Sequence, residues 1–308
     1  MRSRHIPEIL ALVLFAGSIY GLDATIDGSA STGARFLNIP VSARFTAMGN
    51  AGTALASGAE AVFVNPAGSY KNGNGFTASH DSWLDGAFIE NAAVNYLPFK
   101  DMAFGMALSY VNSGSIDVYK TDANGNPVKQ GQISANDFIV KGNYSLNLPG
   151  YLSAGLNIGC AVENLGQEVY AAFVTDLGLN YVNENGFSAG LTAKNMGTRI
   201  GKYDMSVPLN AGISYSKTFS EVHTLTGAAE CRADFRSTAI YGAGVEYAYK
   251  GTYFIRTGYS TDNTGSTTGL SGLRAGAGVK FERITLDYAF EPYGELGISN
   301  KISFAMAY

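Results

Sequence analysis

From residue 75 to the last residue the chain repeats one pattern. Segments of about ten residues alternate apolar side chains with polar or small ones, and clusters of Gly, Asn, Asp and Pro separate them. A period of two places alternate side chains on opposite faces of a strand, so each segment carries an apolar face that needs cover. A second sheet supplies that cover in a soluble sandwich, and lipid supplies it around a closed barrel. The pattern predicts strands at 75–82, 86–98, 101–112, 133–147, 151–163, 169–183, 186–196, 206–218, 222–235, 238–249, 252–262, 271–281, 283–292 and 298–308. That is about fourteen, an even number, as a single-chain bacterial barrel requires.

The last three segments make the case best. Leu273, Ala275, Ala277, Val279 and Phe281 share one face, against Arg274, Gly276, Gly278 and Lys280 on the other. Ile284, Leu286, Tyr288 and Phe290 oppose Thr285, Asp287, Ala289 and Glu291, and Ile302, Phe304, Met306 and Tyr308 oppose Ser303, Ala305 and Ala307. The apolar faces carry aromatics near strand ends, among them Tyr110, Tyr181, Tyr215, Tyr247, Tyr249, Tyr259 and Tyr288, as an interfacial girdle does. The aromatic Tyr308 resembles the terminal signal by which outer-membrane barrels are recognised for insertion. These marks favour lipid over a second sheet.

Composition agrees. Only 15% of the residues are charged, with 38 Gly, 19 Tyr and 17 Phe, so something besides water covers part of the surface. A net charge of -4 leaves no basic footprint for nucleic acid. Residues 1–24 read as a secretory signal: Arg2, Arg4 and His5 form the positive head, Ile9 to Ile19 the apolar body, and Gly21 or Ala24 the small residue at the cut. No other stretch approaches a membrane helix in length. An exported chain without such helices spans lipid only as a closed barrel, because closure alone pairs every backbone N–H and C=O.

Residues 43–70, ARFTAMGNAGTALASGAEAVFVNPAGSY, break the alternation. The crowding of Ala, Gly and Met from Ala47 to Ala61 suits short, tightly packed helical turns. Asn65-Pro66 stops them, because proline lacks an N–H and disfavours helix in the residue before it; Asn65, Pro66, Ala67 and Gly68 then form a sharp bend. The same bend serves equally as a simple turn into the first strand.

Loop lengths orient the barrel. The connection from Asn112 to Ile133 is the longest and belongs outside, and the run from Asp262 to Gly272 falls on the same side by strand parity. Asp122-Ala123-Asn124-Gly125-Asn126 reads as a flexible turn, since Ile133 stands where a calcium loop needs an acid. Cys160 and Cys231 fall in the outward phase of separate strands and are expected to stay unbridged. His5, His80 and His223 have no metal-ligand spacing, and no Gly-x-Ser-x-Gly elbow is present, so neither enzyme chemistry nor a cofactor or metal is expected. The inward phase carries Lys141, Asp176, Lys194, Glu230, Arg232, Glu246, Arg256, Arg274, Lys280 and Asp287. Mixed signs pair across a lumen and hold a plug, whereas ion pores segregate charge into rings; the same residues also suit the wet interior of any barrel.

The run Ala43-Arg44-Phe45-Thr46-Ala47-Met48-Gly49-Asn50-Ala51-Gly52-Thr53-Ala54, followed by Asn65-Pro66-Ala67-Gly68, resembles the opening of the PorV/PorQ family, itself similar to the FadL group of outer-membrane transporters for long-chain fatty acids. Arg256-Thr257-Gly258-Tyr259, Asp287-Tyr288-Ala289-Phe290 and Leu296-Gly297 match the same family. The resemblance implies a fourteen-stranded barrel whose N-terminal hatch, bearing Asn65, Pro66, Ala67 and Gly68, folds into the lumen and shifts to pass an apolar substrate. A gap in the wall is the implied sideways exit. The domains expected are a signal at 1–24, a hatch segment at 25–72 and a transmembrane barrel at 73–308.

Two functions follow from the resemblance. One is passive uptake of hydrophobic small molecules past the hatch, along a path with Phe45, Met48, Leu55 and Phe63 as candidates; each fits ordinary plug packing as well. The other is a PorV-like component of type IX protein secretion that binds exported cargo on loops 112–133 and 262–272. The expected partners are outer-membrane lipid, a hydrophobic small molecule and the barrel assembly machinery, with secreted proteins on the second reading. A bacterial outer-membrane location and a monomer are expected.

Overall fold

The computed structural model describes residues 32–166, 168–234, 237–263 and 271–308. The signal reading, the start of the expected hatch at 25–31 and most of the 262–272 run lie outside these residues.

Strands run in chain order as β1 (Thr32–Gly33), β2 (Gly75–Ser82), β3 (Phe88–Phe99), β4 (Met102–Asn112), β5 (Ile116–Thr121), β6 (Pro127–Ile133), β7 (Asn136–Leu148), β8 (Leu152–Asn164) and β9 (Val169–Val182). They continue as β10 (Phe187–Gly197), β11 (Asp204–Met205), β12 (Leu209–Ser220), β13 (His223–Asp234), β14 (Ser237–Tyr249), β15 (Tyr253–Ser260), β16 (Leu273–Phe281), β17 (Ile284–Pro292) and β18 (Ile298–Ala307). Leaving out β1, β5, β6 and β11, they form one closed fourteen-stranded barrel in which each strand pairs antiparallel with its neighbours and β18 closes on β2. The alternation sets the faces: Leu286, Tyr288 and Phe290 point out while Asp287, Ala289 and Glu291 are buried inside. Closure leaves no strand edge in lipid, and the outward face is the apolar one, so this is a transmembrane barrel.

The two ends differ. At the end holding Tyr308, strands meet through tight turns such as Gly150-Tyr151 and Lys250-Gly251, where both residues have positive φ, the geometry that matches strand twist. The opposite end carries the long connections among the described residues, 113–135 and 198–208. These are the outer loops. The longest turns at 122–126, as the sequence reads. Its β5 and β6 pair into a hairpin, with Asp122 Oδ1 accepting from the backbone N–H of Asn124 at 2.8 Å and of Asn126 at 2.9 Å.

The described chain starts at the outer end, where β1 pairs in parallel with β11, and descends through the lumen to β2 at the inner end. Helical turns form at Ala43–Ala47, Gly58–Glu60, Ala61–Val64 and Pro66–Gly68. The stretch 48–57 that composition marked as helical is mostly irregular, because Gly49 and Asn50 take φ of 69° and 65° and turn the chain after one short helix. Cys160 and Cys231 are both free, on β8 and β13.

Candidate functional site

The segment inside the lumen has two parts. Residues 43–70 form a floor seated directly on the barrel wall, and residues 34–42 form a strap between that floor and the outer mouth.

The floor's seat is a belt of glycines on the inward face of the wall. A Cβ on Gly155 would lie 2.2 Å from the Pro66 carbonyl carbon, and one on Gly178 2.2 Å from Asn65 Oδ1. The belt continues with Gly190 at 2.3 Å from the Thr53 oxygen, Gly242 at 2.0 Å from the Gly49 oxygen, Gly244 at 2.5 Å from Met48 Cα and Gly258 at 2.3 Å from the Gly49 nitrogen. Only a residue without Cβ permits such approach. Asn65 organises the lower bend: Nδ2 donates to the Thr53 carbonyl at 2.9 Å and the Leu179 carbonyl at 3.1 Å, while Oδ1 accepts from Ala67 N–H at 3.1 Å. Pro66 begins the next helical turn, where its missing N–H costs nothing. Asn65, Pro66, Ala67 and Gly68 are all buried.

Charges fix the floor on one side. Arg44 donates to Glu246 through Nε at 2.9 Å and Nη2 at 2.8 Å. Arg256 reaches Glu246 at 2.5 Å and Asp287 at 2.7 Å, joining β14, β15 and β17 to the floor. Nearer the mouth Arg274 pairs with Asp262 at 2.6 Å and with Glu291, and Arg232 lies 3.6 Å from Asp262. Across the lumen Lys141 pairs with Asp176 at 2.6 Å, Lys194 Nζ donates to the Phe63 carbonyl at 2.9 Å, and Glu230 accepts from Thr53 N–H at 2.8 Å. Nine of the ten charges read from the inward phase thus face the lumen, and three of them, Lys194, Glu230 and Glu246, bond the floor directly. Lys280 does not join them: it keeps the inward phase but sits exposed at the inner rim, one residue from the end of β16.

Between strap and floor lies a cavity of about 90 Å³. One side is apolar, where Phe36, Ile39 and Val41 of the strap and Phe45 and Phe63 of the floor meet Ile89, Val111 and Ile139 of the wall. The other side presents Lys141, Lys194, Glu230 and Arg232. Asn50, Asn91 and Asn210 also line it and carry side-chain oxygens with no protein hydrogen-bond partner. Of the four apolar path candidates the structure brings Phe45 and Phe63 to the cavity. Met48 is fully buried under Gly244 and Gly258, and Leu55 is half-buried against the cluster of Phe45, Ala56 and Ala61.

Sequence reasoning missed Lys301, paired with Asp81 at 3.1 Å and donating to the Pro40 carbonyl, although Lys301 and Asp81 stand in the inward phase of their strands. It also missed Asn195, for a reason the pattern cannot supply. A bulge between Ala193 and Met196 puts both Lys194 and Asn195 inside, Asn195 at φ 58° with its N–H on Asp176 Oδ1 at 2.8 Å. His80 and His223 stand apart on β2 and β13, His80 Nδ1 at 2.7 Å from Glu90 and His223 Nδ1 at 2.7 Å from the Tyr247 hydroxyl. No cluster of three metal-ligating side chains occurs among the described residues.

No family model and no curated protein matches this chain. Solved structures do match in fold. The Ralstonia pickettii toluene transporter TbuX aligns at 14% identity with a TM-score of 0.60, over 86% of this chain and 97% of that one. The Pseudomonas putida toluene transporter TodX aligns at 14% identity and a TM-score of 0.57, over 86% and 97%. A Pseudomonas aeruginosa FadL homologue aligns at 12% identity and a TM-score of 0.52, over 87% and 98%. The fold is therefore that of FadL-type outer-membrane channels.

Proposed function

We propose that this protein is a passive channel of the bacterial outer membrane that takes up hydrophobic small molecules, long-chain fatty acids among them, through the space above its lumenal floor. One observation carries the reading: a cavity inside the lumen has one side walled by Phe36, Phe45, Phe63, Ile89, Val111 and Ile139. Inward positions of a water-filled pore are polar, so an apolar patch facing an interior space needs an apolar occupant. The named activities of the similar barrels, toluene transport above all, support the same class of cargo. No energy source is built into the chain as described, so movement is diffusional, drawn by the affinity of an apolar ligand for an apolar wall.

The test is uptake of tritiated oleate and of radiolabelled toluene by cells whose outer membrane carries this barrel, compared with cells carrying Ile139→Asp. Several-fold faster uptake of at least one compound by the native barrel, lost in the variant at equal membrane level, is the expected result. Equal uptake of both compounds with and without the barrel sinks the proposal.

A further inference from the structure

The outward face of the barrel is apolar strand after strand, and one sector of it is not. We infer that the outer ends of β18, β2 and β3 form a seat for the sugar head of an outer-leaflet glycolipid, built from Glu90, His80, Ser82 and Asn300. The inference concerns the lipid side of the wall and stands apart from the transport reading.

Two residues in from the outer ends of their strands, Phe138, Val162, Ala171, Ala211, Ala275 and Phe290 take the outward phase and are apolar. The same position holds His80 on β2, Glu90 on β3 and Asn300 on β18. Among the described residues of the barrel strands, the other acidic or basic side chains in the outward phase are Lys217 and His223, and both lie toward the inner ends of β12 and β13. A charge on the lipid face of a barrel is tolerated near the interface, where polar heads reach it, and disfavoured deeper in. The sector β18–β2–β3 therefore meets something polar that the rest of the outer girdle does not.

Strand register gathers the four polar side chains into one patch. His80 stands opposite Glu90, and Ser82 stands between Asn300 of β18 and Phe88 of β3. His80 Nδ1 lies 2.7 Å from Glu90 Oε1, and the two side chains stay 50% and 49% exposed. That contact uses one atom of each and leaves Glu90 Oε2 and His80 Nε2 for an outside partner. The Tyr288 hydroxyl donates to Asn300 Oδ1 at 2.6 Å, which leaves Asn300 Nδ2 to donate elsewhere. Rings border the carboxylate: His80 stacks on Phe88 with centroids 6.4 Å apart, and Phe88 tilts against Tyr110 at 6.1 Å. Tyr110 is held in place by its hydroxyl, which donates to Asn136 Oδ1 at 2.8 Å.

A sugar ring has apolar C–H faces and a rim of hydroxyls, so it fits aromatic surface beside acceptors and donors placed close together. Glu90 supplies an acceptor, Asn300 a donor, and Ser82 both. A carboxylate repels phosphate, so the sugar is the part of a headgroup that this patch holds. What lies below says that the sugar comes attached to lipid. One step toward the membrane centre the outward face is apolar again, with Phe304, Ala78, Ala92 and Leu108 side by side on β18, β2, β3 and β4. Ala78 and Ala92 are small between two large neighbours and leave a furrow in which an acyl chain lies against the strands. Polar groups above and an apolar furrow below, on a wall already covered by lipid, match the two parts of an amphiphile.

Two measurements on the full barrel decide this. In native mass spectrometry the acylated glucosamine disaccharide of lipid A, stripped of its phosphates, is titrated against the barrel in detergent beside phosphatidylglycerol. The glycolipid is expected to bind at least tenfold more tightly, and Ser82→Ala with Glu90→Ala to weaken it at least tenfold while heat-modifiable migration on a gel shows the barrel folded. Equal binding of the two lipids, or an unchanged glycolipid affinity in the double variant, overturns the inference. So does a second copy of the chain that takes the place of lipid and is lost in the variant. The second measurement leaves the patch intact: the photo-crosslinker p-benzoylphenylalanine replaces Ala92 or, on the far side of the girdle, Ala275, in vesicles of equal parts glycolipid and phosphatidylethanolamine. Crosslinking to the glycolipid is expected to be at least fivefold greater from position 92. Equal crosslinking means ordinary lipid contact all round the wall and overturns the inference. Neither readout depends on passage of an apolar compound, so a failure of uptake counts against the transport reading alone.

Discussion

The lumen has two unlike walls. From β13 round to β18 and β2 the inner face is ionic, with Arg232, Glu246, Arg256, Arg274, Asp287, Glu291, Lys301 and Asp81 paired in chains. The outer part of β3, β4, β7, β8 and β9 is dry, with Ile89, Val111, Ile139, Ala161, Ala172 and Val174 forming one buried cluster with Phe36 of the strap. Buried ions tolerate no change in spacing, because a separated pair leaves each charge desolvated and alone. Apolar contacts are non-directional and can be exchanged for those of a ligand. The ionic wall therefore holds fixed spacings, and the apolar wall borders the cavity.

The contrast can be broken most severely at Arg256, which is 3% exposed between Glu246 and Asp287. Arg256→Met leaves Asp287 without its cation and is expected to cost about 3–5 kcal/mol, read as a lowered urea midpoint for the folded barrel. A native midpoint would show that the ionic wall is not what holds the structure. Next in size is the seat. Gly258→Ala drives a Cβ to 2.3 Å from the Gly49 nitrogen and is expected to cost about 1–3 kcal/mol and expose the floor to protease, whereas Gly227→Ala, with open space around its Cβ, stays within about 0.5 kcal/mol.

On the dry wall the same kind of deletion should be mild. Ile139→Val removes one methylene beside an existing space; the expected cost is about 0.5–1.5 kcal/mol, with uptake of apolar probes kept or raised. A loss of uptake would mean that the apolar wall is rigid packing rather than a ligand surface. Smallest of all is the outer hairpin. The backbone N–H of Asn126, ahead of that of Asn124, holds the Asp122 carboxyl below its ordinary range. With its folded-state value depressed, its support for the turn is present above the ordinary aspartate value and lost as pH falls through the folded one. Amide shifts of Asn124 and Asn126 should move across that acid window while barrel signals stay fixed, and a barrel that loosens with them would contradict the separation of hairpin from wall.

Much of this architecture was legible in the residues. All fourteen wall strands fall where the alternation put them, since a period of two is a property of each strand and survives any assembly. The turn at 122–126 was legible, whereas the β5–β6 pairing that flanks it was not, because its residues are exposed on both faces. The ion pairs were legible as an inward set but not as partners. Asn195 was hidden because its bulge departs from the period that revealed the rest.

The sequence by itself determined that strands form, that their apolar sides face outward, and that the chain from 43 to 70 is something else; local alternation and the chemistry of proline and glycine decide these. Tertiary structure alone decided which glycines meet the floor, which cations meet which acids, and that strap and floor border one cavity. Those contacts join residues as far apart as Lys301 and Pro40, and distance along a chain carries no record of what a closed barrel brings together.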